Sequence, residues 1–279
     1  MPDEMATGYR GRLAPTPTGE LHLGHARTFH AAWERAMAVD GALVLRIEDL
    51  DATRCRPEYT QQLFEDLRWM GVTWTEGPVY QSQRGEVYLD VWRRLHAAGA
   101  IYPSHVTRKD VRDAALAPHD DEEGAEPLFP VSLRAPVGAE KGYQSPEGVV
   151  WRFRVPGGER IQFSDDLQGP QCFLSGVDFG DFIVWRKDNV PAYELAVVAD
   201  DVAMHITEVV RGADLLKSTA RQLLIYRVLG ARLPAWRHES LVRDASGRRL
   251  AKRHQALSLR SLRERGIAWR DALADFLPP

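Results

Sequence analysis

An α/β fold with a doubly wound parallel sheet is the architecture that this 279-residue sequence predicts. Apolar runs of strand length alternate with segments of helical periodicity over the first hundred residues, and the helical segments end at or beside glycine. This strand–helix order favours crossover connections, which join parallel strands of one sheet. Hydrophobic residues make up 44% of the chain and charged residues 27%, so the chain can bury a large core and remain soluble.

The first half of the predicted sheet comes from two apolar strands, GYRGRLAP at residues 8–15 and ALVLRIED at residues 42–49. Three amphipathic helices are predicted from apolar spacing at residues 24–39, 56–71 and 84–99. The second of them has Pro57 in its first turn and a glycine, Gly71, at its C-cap.

The composition changes between residues 104 and 150, where Pro, Gly and acidic residues are frequent and periodicity is weak. We interpret this segment as an inserted subdomain with mobile loops. After it, residues 182–201 are predicted to form a hairpin that turns at Asp188-Asn189, followed by a helix over residues 214–230 and short helices over residues 258–279.

Four segments therefore make up the predicted domain organisation. Residues 1–103 and 151–235 form the two halves of the main α/β domain, residues 104–150 the insertion, and residues 236–279 a loop with short C-terminal helices.

The chain is expected to be a cytoplasmic protein. It has no apolar run near 18 residues, and its first ten residues lack a hydrophobic stretch, so neither a membrane span nor a secretory signal is expected. Cys55 and Cys172 are its only cysteines and are expected to be reduced.

Charge is distributed unevenly along the chain. Residues 211–279 carry 15 Lys and Arg against six Asp and Glu, a net of +9, whereas residues 1–210 carry −12. Such asymmetry fits either a face that binds a polyanion or a solvated helical face rich in arginine.

The turn that precedes the first helix contains His22, Gly24 and His25 within the sequence HLGH. A glycine-rich turn that leads into a helix places backbone N–H groups and the helix dipole towards an anion. Two imidazoles three residues apart can reach one phosphate group, and a flat base can lie against a glycine that has no Cβ. The alternative is that both histidines only cap the helix.

A second loop, RDASGRRLAKRHQA at residues 243–256, has a cluster of cations that can close over a triphosphate. Together the two loops resemble the HIGH and KMSKS signatures of class I aminoacyl-tRNA synthetases. The stretches RLAPTPTGELHLGHART, LRIEDLDATRCRPEY and residues 192–230 are similar to the glutamyl branch of that family. The resemblance extends from Gly11 to Gln255, apart from the insertion.

This resemblance implies a Rossmann-like catalytic domain that uses ATP, with Mg²⁺ expected alongside it, to activate L-glutamate as glutamyl-adenylate. Only 26 residues follow Arg253, so no anticodon-binding domain is expected. That length is typical of the truncated members that attach glutamate to the queuosine base in the anticodon of tRNA(Asp). A monomer without membrane association is expected.

The resemblance also implies the site residues. The positions that match ATP contacts are His22, Gly24, His25, Arg249 and Lys252, of which His22, His25 and Lys252 are the expected catalytic residues. The positions that match glutamate contacts are Arg12, Ala14, Thr16, Glu48, Tyr193 and Arg211. In the RLAKR loop, Arg249 stands in place of the usual first lysine and Ala251 in place of serine.

Two arginines, Arg12 and Arg211, are expected to face substrate carboxylates, because a guanidinium can bind a carboxylate through two hydrogen bonds. Glu48 is expected to hold the α-ammonium, and Tyr193 to contact the same ligand through its hydroxyl. Without the resemblance, Glu48 and the next residue, Asp49, are read as members of a surface ion pair with Arg46 or Arg54.

The insertion of the family often contains a zinc site, but the matching positions here read Ser104, Val106, Phe129 and Leu133. None of these side chains is a thiolate or imidazole donor, and His105 and His119 are read as solvent-exposed residues. We therefore predict no structural zinc and expect apolar packing to hold this subdomain together.

Two other functions remain open at this stage. The chain could donate glutamyl-adenylate to another acceptor, such as a carrier protein or a small amine. It could also be a catalytically silent paralogue that binds tRNA or a nucleotide, for which the altered RLAKR loop is the support.

Overall fold

The computed structural model describes residues 8–107, 109–111, 128–242, 258–274 and 276. Its strands are β1 (Arg10–Leu13), β2 (Ala42–Ile47), β3 (Glu76–Tyr80), β4 (Ile101–Ser104), β5 (Val150–Phe153), β6 (Arg160–Asp165), β7 (Gly169–Leu174), β8 (Ile183–Trp185), β9 (Glu208–Gly212) and β10 (Ala235–Glu239). Its α-helices are α1 (Leu23–Ala38), α2 (Pro57–Trp69), α3 (Gly85–Ala97), α4 (Tyr193–Ala203), α5 (Leu216–Leu229), α6 (Leu259–Glu264) and α7 (Trp269–Ala274).

Parallel strands from both halves of the chain meet at β1. On one side β1 pairs with β2, and β2 pairs with β3, all in parallel. On the other side, the Thr207 backbone N–H, just before β9, donates to the Arg10 carbonyl oxygen at 2.8 Å. Because β9 pairs in parallel with β10, the strand order β3-β2-β1-β9-β10 is that of an open α/β sheet.

The two faces of this sheet are covered by different helices. In β2, Val44 packs in a core that includes residues of α3, α4 and α5, whereas its neighbours Leu43 and Leu45 pack in a core with α1, α2, α6 and α7. Side chains alternate between the faces of a strand, so an almost continuously apolar strand signals burial on both sides. The predicted doubly wound α/β class is confirmed.

An antiparallel sheet of order β4-β5-β8 and the antiparallel pair β6-β7 extend this framework. The predicted hairpin at residues 182–201 is only half correct. The chain does turn at Asn189, whose φ is 61°, but the return arm makes a single bridge at Pro191 and then enters α4. Most of α4 is buried, so its apolar run packs as a core helix instead of a strand.

Glycine ends α5 as the sequence predicts. Gly230 is the C-cap, with φ 58° and ψ 26°, a left-handed conformation that costs a residue with a Cβ additional strain. Within the described parts of the chain, no helix is both long enough and apolar enough to cross a membrane.

Candidate active site

The two histidines of the β1–α1 turn cap α1 and line a cleft at the same time. The Gly24 backbone N–H donates to Nδ1 of His22 at 3.1 Å, and the His22 backbone N–H donates to Nδ1 of His25 at 3.2 Å. Their ring centroids lie 3.9 Å apart. The two histidines can therefore both cap the helix and bind a ligand, because capping uses Nδ1 while both side chains border the cleft.

Gly24 has no side chain, and this leaves room for the His22 ring. A Cβ at this position would lie 2.9 Å from Cε1 and 3.0 Å from Nδ1 of His22, which is closer than real Cβ contacts allow. The missing side chain therefore leaves room for the imidazole against the first turn of α1, where the Gly24 N–H holds it.

The cleft has a volume of about 380 Å³ and opens where the parallel strands β1, β9 and β10 end. The expected site residues that line it are Ala14, Thr16, His22, Gly24, His25 and Arg211. Residues at the N-terminus of α1 and the cationic residue Arg211 thus line one volume, which suits an anionic ligand.

Arg12, Glu48, Tyr193 and Arg211 come together beside this cleft. The charges of Arg211, Glu48 and Arg12 all act on the Tyr193 phenol. Arg12 donates from Nη1 to the carbonyl oxygen of Val210 at 2.8 Å, and Val210 directly precedes Arg211 in β9. The Glu48 backbone N–H donates to the Pro15 carbonyl oxygen at 2.9 Å and so ties the end of β2 to the β1–α1 loop.

Arg211 is buried, with 4% of its surface exposed, and three of its neighbours hold the guanidinium. Nη2 donates to Thr219 Oγ1 at 2.6 Å and to Gln222 Oε1 at 2.9 Å, and Nε donates to His238 Nε2 at 3.1 Å. Nη1 is buried and has no hydrogen-bond partner within the described residues. A buried guanidinium nitrogen without an acceptor suits a ligand that supplies one.

The ion pair between Glu48 and Arg46 exists, but it lies in the interior instead of on the surface. Arg46 is fully buried, with Nη2 at 3.1 Å from Glu48 Oε1 and Nη1 at 2.6 Å from Asp201 Oδ1. Burial raises the pKa of Glu48, and the charges of Arg46 and Arg12 oppose that rise. A carboxyl in this environment gains from a further cation such as an ammonium group.

The sequence reasoning missed the acids that organise this centre. Asp200 accepts hydrogen bonds from Gln81 Nε2, Arg84 Nε and the Tyr88 hydroxyl at 2.8, 2.5 and 3.0 Å. Adjacent acids inside an apolar stretch, as in VVADD, are the signal that could have found Asp200 and Asp201, because buried charges need partners.

The model of the family described as class I tRNA synthetases (E and Q), catalytic domain, matches residues 9–277. The chain belongs to this family. It is therefore a ligase of the aminoacyl-tRNA synthetase type, as the resemblance implied.

Curated relatives from this family cover most of the chain. A glutamyl-Q tRNA(Asp) synthetase from Nitratidesulfovibrio vulgaris is 46% identical over 268 residues, which are 92% of this chain and 82% of the relative. A protein of the same name from Symbiobacterium thermophilum is 45% identical over 269 residues, with the same coverage.

Solved structures agree with the fold. A glutamate tRNA ligase from Elizabethkingia meningosepticum, in complex with its amino acid, superposes with a TM-score of 0.73 at 29% identity. A glutamate-tRNA synthetase from Elizabethkingia anophelis gives a TM-score of 0.75 at 28% identity. Each comparison covers 88% of this chain, and the chain spans about half the length of these two structures.

Some expected synthetase positions are not tested by the structure. Arg249 and Lys252 of the RLAKR loop lie outside the described residues, as does His119. In the insertion, Phe129 belongs to a small apolar cluster with Tyr102 and Val111, against which Val106 and Leu133 pack, and Ser104 is buried. Apolar packing is thus present at these positions, and the lack of a structural zinc stays a prediction.

Proposed function

We propose that this chain activates L-glutamate with ATP and transfers the glutamyl group to the queuosine base in the anticodon of tRNA(Asp). The observation that carries the proposal is that one cleft is lined both by the His22–His25 turn and by Arg211, whose buried Nη1 has no hydrogen-bond partner among the described residues. The names of the relatives, at 46% and 45% identity, support the same reaction.

In the first proposed step, an oxygen of the glutamate α-carboxylate attacks the α-phosphorus of ATP, and pyrophosphate leaves. Arg12 and Arg211 bind substrate carboxylates, Glu48 binds the α-ammonium, and the Tyr193 hydroxyl contacts the same ligand. Ala14 and Thr16 contact the ligand from the β1–α1 loop.

The phosphates of ATP lie at the N-terminus of α1 in this proposal. His22 and His25 stabilise the charge that develops at the α-phosphate, and Gly24 lets the nucleotide approach the backbone. Lys252 and Arg249 contact the leaving pyrophosphate, and Mg²⁺ arrives with the ATP phosphates as part of the substrate.

In the second proposed step, a hydroxyl of the queuosine cyclopentenediol attacks the glutamyl carbonyl, and AMP leaves with the electron pair of the broken bond. Binding both reactants in one geometry supplies most of the acceleration in such a transfer. We place this reaction in the cytoplasm, with the protein as a monomer.

The test is transfer of labelled glutamate, in the presence of ATP, to tRNA(Asp) purified from cells with and without queuosine. Label on queuosine-containing tRNA alone, recovered in the anticodon nucleoside after nuclease digestion, is the expected result. Equal label on both tRNAs, recovered at the 3′ end, would contradict the proposed acceptor.

A companion assay separates activation from transfer. Glutamate-dependent exchange of pyrophosphate into ATP, without label on either tRNA, would assign the adenylate to another acceptor. Absence of exchange at saturating glutamate would leave the silent paralogue as the better description.

A further inference from the structure

Three neighbouring strands carry a row of buried polar side chains at their carboxyl ends. Asp165 is the last residue of β6, His238 lies near the end of β10, and Arg211 lies near the end of β9. His238 is directly opposite Arg211 in the parallel register of β10 and β9. All three residues have 5% or less of their surface exposed.

The carboxylate of Asp165 is held from two sides. Oδ1 accepts hydrogen bonds from the backbone N–H groups of Leu167, Gln168 and His238 at 3.0, 2.8 and 3.2 Å. Oδ2 lies 2.6 Å from Nδ1 of His238. Burial opposes the charged form of Asp165, but the hydrogen bonds from His238 and the backbone outweigh it and lower the pKa.

The other nitrogen of the imidazole faces a donor. Arg211 donates from Nε to Nε2 of His238 at 3.1 Å, and an arginine has no acceptor to offer in return. Nε2 must therefore carry a lone pair, so the imidazole proton lies on Nδ1 and is donated to Asp165. Burial, together with the charge of Arg211, lowers the pKa of His238 to about 4, which keeps the ring neutral at physiological pH.

The rest of the guanidinium is held by α5. Thr219 and Gln222 accept from Nη2, and Gln222 in turn donates from Nε2 to Glu194 Oε2 at 2.8 Å. The edge that contains Nε and Nη2 is thus occupied, which leaves Nη1 as the buried nitrogen without a partner in the described structure.

We infer that Asp165 and His238 are positioning residues that fix the orientation of Arg211, so that Nη1 is presented to a carboxylate of the substrate. The inference rests on the proposed function, because it takes glutamate as the ligand of Arg211. Asp165 determines which nitrogen of His238 carries the proton. The other nitrogen, Nε2, is then free of a proton and accepts the hydrogen bond from Nε of Arg211.

An Asp165→Asn substitution reverses the donor pattern with almost no change of shape. The three backbone N–H groups require the amide oxygen at the Oδ1 position, so the amide nitrogen faces His238 and donates to Nδ1. The ring proton then moves to Nε2 and opposes the N–H of Arg211. Two donors that face each other in a buried site are strongly unfavourable.

The first experiment measures glutamate-dependent pyrophosphate exchange in the unmodified protein and in Asp165→Asn. We expect KM for glutamate to rise roughly 10- to 100-fold, the range for a hydrogen bond to a charged group, while KM for ATP changes little. Asp166→Asn is the matched control, because Asp166 is half exposed and pairs with Arg35 and Arg237 instead. An unchanged KM for glutamate in Asp165→Asn would overturn the inference.

Two substitutions of His238 separate positioning from general structural support. In His238→Gln, the amide oxygen can replace Nε2 as the acceptor for Arg211, and KM for glutamate is expected to stay near normal. In His238→Asn, the shorter amide reaches Asp165 but not Arg211, and KM is expected to rise. If both variants gave the same KM for glutamate at similar thermal stability, that result would contradict a positioning role.

The tautomer can be measured without any activity. Nitrogen-15 NMR of the imidazoles, with His238→Gln used to identify the signal, is expected to show a proton on Nδ1 and none on Nε2. A protonated Nε2 in the unmodified protein would overturn the inference. Absence of pyrophosphate exchange would count against the proposed function alone, and the nitrogen shifts would still decide the tautomer.

Discussion

At the scale of single residues, the β1–α1 turn shows one pair of side chains that serves two purposes. His22 and His25 satisfy backbone N–H groups of the first turn of α1, and the same rings border the cleft. Their orientation is therefore part of the helix start, so the site is preorganised by the fold itself.

We expect His25→Ala to lower the rate of pyrophosphate exchange by about 10²-fold or more, the usual effect of removing a donor to developing charge. Loss of the capping hydrogen bond should lower the free energy of unfolding by about 1 kcal/mol. His25→Asn separates the two effects, because its short amide can accept the cap hydrogen bond without reaching the cleft. Recovery of activity together with stability in His25→Asn would refute the role in the cleft.

A second residue-scale prediction concerns Arg211. Arg211→Lys keeps the charge but loses the fork, so we expect the affinity for glutamate to fall roughly 10- to 100-fold. Calorimetric titration with glutamate checks this, and near-normal affinity would contradict the assigned role. Arg211→Ala should also lower the melting temperature, because it leaves His238, Thr219 and Gln222 without their donor.

At the scale of elements, α6 contacts α2 at a buried carboxyl group. Asp66 of α2 is almost fully buried, and Oδ1 lies 3.0 Å from Nη1 of Arg263 on α6. Burial raises the pKa of Asp66 to about 7, and the opposing charge of Arg263 does not restore the usual value. This contact fastens the helices that follow the RLAKR loop onto the first half of the sheet.

The raised pKa gives a pH dependence of defined sign. Between about pH 4 and pH 7 the folded state holds a proton on Asp66 that the unfolded state releases, so the contribution of Asp66 to stability falls as the pH rises through this window. Asp66→Asn resembles the protonated form. We expect its melting temperature to match that of the unmodified protein near pH 4 and to exceed it at pH 8.

Glu65→Gln is the control for this prediction, because Glu65 pairs with the same arginine at 2.9 Å but is 42% exposed. It should keep the fall of stability between pH 4 and pH 8 and shift it slightly towards lower pH, because the charge of Glu65 contributes to the raised pKa of Asp66. A profile for Asp66→Asn that runs parallel to that of the unmodified protein would contradict the raised pKa.

At the scale of the whole molecule, the uneven distribution of charge bears on tRNA. Residues 211–279 have a net charge of +9 in a chain whose total is −3. We propose this part as a contact surface for tRNA, because binding to phosphates depends on Lys and Arg and weakens with salt.

We expect Arg265→Glu, an exposed position of this part, to raise KM for tRNA and to reduce its dependence on salt. Arg68→Glu makes the same exposed charge change in residues 1–210 and should have a smaller effect. Transfer assays across a range of salt concentrations test both, with pyrophosphate exchange as the readout that neither variant should alter. Equal effects of the two substitutions would argue against a local contact surface.

Much of this protein was readable from local sequence. Burial on both faces makes β2 apolar except at Arg46, and Gly230 ends α5 because a left-handed C-cap favours glycine, so the apolar run and the glycine located these elements. The HLGH turn was recognisable because the residues that cap a helix and face an anion are adjacent in the chain. The segment that begins α4 was misread, since a short apolar run does not distinguish a buried helix from a strand.

By itself the sequence determined the alternation of β1, α1, β2, α2 and α3, the doubly wound class and the turn at His22 and His25, because the patterns that predict them are formed by residues close together in the chain. Only the tertiary structure decided that Arg46 is an interior charge and that Asp165, His238 and Arg211 form one row. Those three residues are far apart in the chain. They meet because parallel pairing sets His238 opposite Arg211 and places the end of β6 beside β10, where the Asp165 side chain reaches His238, and no local pattern encodes that pairing.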